Sequence, residues 1–142
     1  MPDLLRDPLS LRQEYFRRNL EMVGALHRAG VPFMAGTDTA PGVYIMPGFS
    51  LHDELALLVE AGLTPMEALQ SATRNPARAM RRDDIGTVEA GKLADLVVLS
   101  ANPLADIRNT TRIRAVVYNG QLHERSSLDA LLRRAENEAR EG

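Results

Sequence analysis

Gly36-Thr37-Asp38 follows a short apolar run, Val31-Pro32-Phe33-Met34-Ala35. A carboxylate at the C-terminal end of a buried parallel strand faces the ligand side of an α/β sheet. From there it can bind a divalent cation and accept a proton from bound water. An aspartate in such a place also organises a turn through its own side chain, so local pattern leaves both roles open for Asp38. His52 lies in the first turn of a helix that follows the Gly- and Pro-rich loop 36–49, which directs it toward the same mouth. The alternative for His52 is an ordinary exposed first-turn residue. His27, beside Arg28 and Gly30, reads as the solvated histidine that a helix C-terminus favours, and His123 reads as a strand surface residue.

The sequence contains no H-x-H, H-E-x-x-H, G-x-S-x-G or Walker-type phosphate loop. A catalytic zinc usually takes three protein ligands, whereas Asp38 and His52 supply two at best. The absence of cysteine excludes disulfides, thiolate metal sites and a cysteine nucleophile. With 17 basic and 19 acidic residues, and a net charge of −2, the chain has no phosphate-binding balance, and no nucleic-acid partner is expected. No apolar run approaches the roughly 20 residues that span a membrane. The charged N-terminus lacks the apolar core of a signal peptide, so a cytoplasmic product is expected, provided Met1 is the natural start.

The elements that must position these residues follow from periodicity. Phe16, Leu20, Val23 and Leu26 recur at helical spacing over residues 9–29, with Arg17, Arg18, Glu21 and Arg28 on another face. Gly30 is the stop signal. Residues 31–35 then have the pattern of a strand buried on both faces. Ser50, with Asp53 three residues on, predicts a second helix opened by a capping-box-like arrangement, whose buried stripe is Leu51, Leu55, Leu58 and Val59. Gly62 ends it. Thr64-Pro65-Met66-Glu67 starts a third helix with a cap, a Pro in the first turn and Glu at the third position, and a short turn begins at Asn75-Pro76.

After Arg81-Arg82-Asp83-Asp84 the pattern changes to short strands at 85–88, 94–99 and 113–118. Asn119-Gly120 signals a tight hairpin into Gln121-Leu122-His123. A helix over 127–140 follows, with Leu128, Leu131, Leu132 and Ala135 on one side. Residues 9–80 therefore read as one and a half units of an α/β fold with a parallel sheet. The rest is a thin sheet plus a helix. Neither piece is complete by itself.

The runs AGVPFMAGTDT, LHDELALLVEAGLTPMEALQSATRNPARAM, IGTVEAGKLADLVVLSANPL and VVYNGQ resemble, in family order, the C-terminal portion of the amidohydrolase superfamily. The likeness is closest to the branch of imidazolonepropionase and Xaa-Pro or Xaa-Arg dipeptidase-like enzymes, and covers roughly residues 20–121. It implies an α/β fold class: the C-terminal fragment of a (β/α)8 barrel with a metal centre, zinc in expectation, followed by strands of a flanking β-sandwich. The implied divisions are barrel at 1–80, sandwich segment at 81–125 and C-terminal helix at 126–142.

Asp38 is then the catalytic aspartate, metal ligand and proton shuttle. Residues 31–35 are the eighth barrel strand and 50–80 the closing helices. The loop 39–49, with Tyr44 and Met46, gives one apolar wall, so Thr39, Tyr44 and His52 are the substrate-binding candidates.

The resemblance implies metal-dependent hydrolysis of a non-peptide C–N bond, or of a small dipeptide amide. The family's histidines on earlier strands have no counterpart here, and a barrel needs about 250 residues. A missing N-terminal part, supplied in cis or by another chain, is therefore the implied partner. The alternatives are a non-catalytic remnant acting as an interaction module through its strand edge and last helix, or one subunit of a split hydrolase.

The isolated chain is expected to associate with further copies or to unfold partially, because stripes meant for a barrel would face water. Sedimentation and calorimetry test this. A monomer with one sharp cooperative melt would refute it.

Overall fold

An extended stretch needs a neighbouring strand before it becomes a sheet, whereas a helix satisfies its own backbone. That difference decides what residues 8–38 and 45–72 form. The structure is a computed structural model that describes residues 8–38 and 45–141. The chain divides into two compact units, 1–72 and 73–142.

In the first unit α1 spans Leu9–Arg28, α2 Ser50–Glu60 and α3 Pro65–Ser71. Glu14, Arg17, Arg18 and Glu21 form exposed ion pairs along the polar face of α1, each of small energetic value at such exposure. The expected stripe is only partly covered: Leu20 and Val23 are half-buried, while Phe16 is 48% exposed. The closest approach is made by Gly24. A Cβ placed there would lie 2.4 Å from the Ala61 carbonyl oxygen at the end of α2. Leu55, Leu58, Leu63 and Ala68 form the buried core of this unit. An open groove of about 240 Å³ remains between α1 and α2, lined by Phe16, Leu20, Val23, Leu57 and Leu58.

Helix ends are closed by one recurring device. After α1, Gly30 (φ 77) donates to the His27 carbonyl and Val31 to Leu26. After α2, Gly62 (φ 116) donates to Val59 and Leu63 to Leu58. Both are Schellman endings, which satisfy otherwise orphaned carbonyls. In the second unit α4 (Arg74–Ala79) ends the same way through Arg81 and Arg82, but with the side-chain-bearing Arg81 at φ 55.

At the start of α3 the expected Thr64 cap is part of a complete capping box. Glu67 N donates to the Thr64 hydroxyl, and Thr64 N donates to the Glu67 carboxylate at 2.8 Å. Hydrogen bonds from the Thr64 hydroxyl, then from its amide, outweigh partial desolvation and hold Glu67 below the usual glutamate range, with His27 a smaller cause.

Three sequence expectations are corrected. Residues 31–35 form no strand: no strand pairs with them among the described residues, and Met34 is 59% exposed, so the run is not buried on both faces. Ser50 is not the cap of α2. Phe49 holds that position, and the Ser50 hydroxyl accepts from Met46 N at 2.9 Å. Residues 85–88 are a bend rather than a strand. Gly86 (φ 89) is seated so tightly on α4 that a Cβ would come within 2.6 Å of the Ala77 methyl group, which leaves this backbone no room to join a ladder.

The second unit otherwise follows the reading. β1 (Leu96–Leu99), β2 (Ile113–Tyr118) and β3 (Gln121–Glu124) form an antiparallel sheet in that order, with a bulge between Val98 and Leu99. Asn119 (φ 48) and Gly120 (φ 77) make the hairpin turn, both in the left-handed region that a primed turn requires. The Asp95 carboxylate accepts from Asn119 N at 2.6 Å, and Gly120 N donates to the Ala94 carbonyl.

Lys92 reaches the Thr87 hydroxyl at 2.5 Å, closing the turn before β1. The last helix, α5, runs Arg125–Glu141. It starts two residues early because Arg125 pairs with Asp129 and donates to the Ile113 carbonyl. Leu131 and Leu132 on it are each 57% exposed. Among the described residues, no helix is long and apolar enough to cross a membrane.

Two outcomes follow. Gly24→Ala gains about 1 kcal/mol of helix propensity but forces α1 off Ala61. A net loss of about 1–3 kcal/mol is expected, read as lost hydrogen-exchange protection of α1 and α2 amides; a gain in protection would refute the packing. The depressed Glu67 contributes stability that is present above its unfolded pKa, roughly 4.3, and lost as pH falls through the lower folded value. The helical urea midpoint of the protein should exceed that of Glu67→Gln above pH 5, with the gap closing toward pH 3. A gap independent of pH would show that the charge is not what stabilises the cap.

Candidate active site

The segment that carries Asp38 shows a period of two in its exposure. Phe33, Ala35 and Thr37 are half-buried, and Met34, Gly36 and Asp38 are exposed. The covered positions are tied to the helices. Phe33 lies 6.5 Å from the His27 ring, tilted by 56°, and Ala35 N donates to the Ser71 carbonyl at 2.9 Å. Ser71 is the last residue of α3 and is fully buried, its hydroxyl turned back onto the Ala68 carbonyl at 2.7 Å.

Asp38 itself has φ 49. This left-handed conformation is uncommon without glycine and better tolerated by Asp than by bulky residues. The chain thus turns at Asp38 and leaves its carboxylate open to solvent.

His52 stands where expected, in the first turn of α2 and half-buried. Its ring meets Phe49 edge-on at 6.1 Å, and its backbone N–H donates to the Phe49 carbonyl. Thr39 and Tyr44 lie outside the described residues. His27 is less solvated than its position at a helix end suggested: its side chain is 27% exposed and its Nε2 is 3.7 Å from the Glu67 carboxylate. His123 sits half-buried in β3, opposite Val116.

Among the described residues, no three His, Asp or Glu side chains converge on a point that could hold a metal ion. Asp38 and His52 therefore do not by themselves make a metal centre of the usual three protein ligands. What the arrangement offers is one exposed carboxylate at a left-handed turn, three residues from a backbone anchor. That anchor was not visible to sequence reasoning. A small residue at the buried end of a short helix, as Ser71 is, was the signal that could have suggested it. Gly24 was missed likewise, since its role depends on the path of a second helix.

Comparison with known proteins gives these features a context. The amidohydrolase family pattern matches residues 9–123. Imidazolonepropionase of Aromatoleum aromaticum is 40% identical over 96 residues, covering 66% of this chain and 23% of the relative. That of Cutibacterium acnes is 46% identical over 77 residues, covering 54% and 19%. Among solved structures, a Xaa-Pro dipeptidase with bound methionine in its active site aligns with a TM-score of 0.66 at 34% identity, over 74% of this chain and 25% of that one. Molinate hydrolase aligns at 0.63 and 34%, over 71% and 25%. The chain spans about a quarter of the length of these relatives. With the match running from the start of α1 into β3, the chain belongs to the amidohydrolase family.

Proposed function

We propose that this chain is the C-terminal portion of an amidohydrolase that cleaves a C–N bond in a cyclic amide, other non-peptide amide or small dipeptide, with Asp38 as its catalytic carboxylate. The observation that carries this reading is Asp38 itself. It closes the Gly-Thr-Asp run, adopts a left-handed conformation without being glycine, and is exposed on the side of the segment away from Ala35 and Ser71. The kinship with imidazolonepropionases and with a Xaa-Pro dipeptidase supports the bond type.

In this reading residues 31–35, irregular here, take the place of the last strand of a (β/α)8 barrel once the rest of the barrel is present. Residues 1–80 belong to that barrel, 81–125 to a flanking β-sandwich and 126–142 to a terminal helix. The alternation of the strand is completed when neighbouring strands cover Met34, which is exposed here. Asp38 accepts the proton of the attacking water and returns it to the leaving nitrogen. His52, Thr39 and Tyr44 contact the substrate.

The described donors do not fit a whole zinc centre. The remaining ligands therefore come from the rest of the barrel, in cis or from a partner chain, with Asp38 the ligand contributed here.

The test is made on the natural gene product, isolated from its source with any partner chain retained. Cyclic amides and Xaa-Pro dipeptides are offered as substrates. Hydrolysis abolished by a chelator and restored by zinc is expected, and Asp38→Asn should lower kcat by about 10²- to 10⁴-fold. An unchanged rate in Asp38→Asn would remove Asp38 from the chemistry. The 142 residues alone should show no such hydrolysis; activity that disappears with Asp38→Asn would mean that the chain needs no completion.

A further inference from the structure

We infer that the backbone hydrogen bond from Ala35 N–H to the Ser71 carbonyl positions Asp38, which makes Ala35 and Ser71 positioning residues for the proposed hydrolysis. This rests on the reading of Asp38 above. A carbonyl in the last turn of a helix has no N–H four residues on to accept from, and the helical path breaks at Thr73 (φ −130, ψ −83). Ser71 therefore has an acceptor to offer outside its own helix, and it offers it to Ala35 at 2.9 Å.

The burial of Ser71 makes the anchor firm. Its side chain is fully enclosed, and its hydroxyl is committed to the Ala68 carbonyl. Upstream, α3 is fixed by the Thr64–Glu67 box and by the approach of His27 to Glu67.

The anchor also sets a phase. Exposure alternates from Phe33 to Asp38, with Ala35 on the covered side and Asp38 on the open one. A one-residue slip in a stretch of period two exchanges its faces. It would carry Met34 or Gly36 to the Ser71 carbonyl and turn the left-handed bend at Asp38 elsewhere. The bond thus selects which residues face the helices, and so where the carboxylate stands. The effect is on geometry and not on substrate affinity, because neither Ala35 nor Ser71 is exposed as Asp38 is.

Ala35→Pro removes the donor, adding two ring methylenes and fixing φ, in a stretch that is not helical; Ala35→Gly keeps the donor. Both are made in the natural protein with any partner retained, and assayed beside Asp38→Asn. For Ala35→Pro, kcat should fall about 10- to 100-fold with KM within about threefold. Ala35→Gly, which retains the donor, should stay within about threefold of the parent in both. Amides of α2 should keep their hydrogen-exchange protection in Ala35→Pro, which shows that the fold persists.

Ala35→Pro with kcat within twofold of the parent overturns the inference, provided Asp38→Asn is inactive. If Asp38→Asn keeps full activity, the reading of Asp38 has failed instead. Should Ala35→Pro not fold, exchange in the unmutated protein decides. An Ala35 amide protected like those of α3 supports the anchor, and one exchanging at the solvent rate overturns it.

Discussion

A helix that stops leaves carbonyls that need donors from outside it, and among the described residues the placement of Asp38 is tied to how one such carbonyl is satisfied. The acceptor is the unused carbonyl at the end of α3. Several otherwise separate facts combine at this point. The capping box sets where α3 begins, its seven-residue length sets where Ser71 falls, and the break at Thr73 leaves the carbonyl available. The carboxylate three residues beyond Ala35 inherits its position from all of them.

The same economy of backbone groups governs the other helix ends. α1, α2 and α4 all close with paired bonds from the two residues that follow the cap. Two of those closures use glycine, and the third uses Arg81 in a conformation that glycine adopts without strain. Because the endings are fixed, the chain leaves each helix in a defined direction. Among the described residues the buried apolar side chains are few, and Leu55, Leu58 and Leu63 are the largest in the first unit.

What the sequence disclosed and what it withheld divide along a physical line. Features encoded within a few residues were legible. Thr64 with Glu67 gave the start of α3, Gly30 and Gly62 gave helix ends, and Asn119-Gly120 gave a hairpin whose strands fall at 113–118 and 121–124. Features that depend on a neighbour were not. Residues 31–35 have a strand composition but no partner strand among the described residues, so they remain irregular. Residues 85–88 look like a strand until Gly86 is seen against Ala77. Ser50 has the chemistry of a cap, yet its hydroxyl serves Met46 N. For the candidate site, the position of His52 in the first turn of a helix could be read directly. The anchor at Ser71 could not, because its partner lies 36 residues away and is bound through backbone atoms that carry no sequence signature.

The docking of the hairpin onto Ala94 and Asp95 has a chemical consequence beyond its geometry. An asparagine followed by glycine is prone to spontaneous loss of its side-chain amide, because the glycine nitrogen can attack the asparagine carbonyl carbon and close a five-membered imide. Here Gly120 N is held against the Ala94 carbonyl, and Asn119 N against the Asp95 carboxylate. The nucleophile is thus engaged and the turn cannot swing into the geometry of ring closure. The docked hairpin therefore slows the ageing of its own most labile residue. That protection lasts as long as β1 stays paired, so a molecule that opens at this edge begins to accumulate chemical damage that refolding does not reverse.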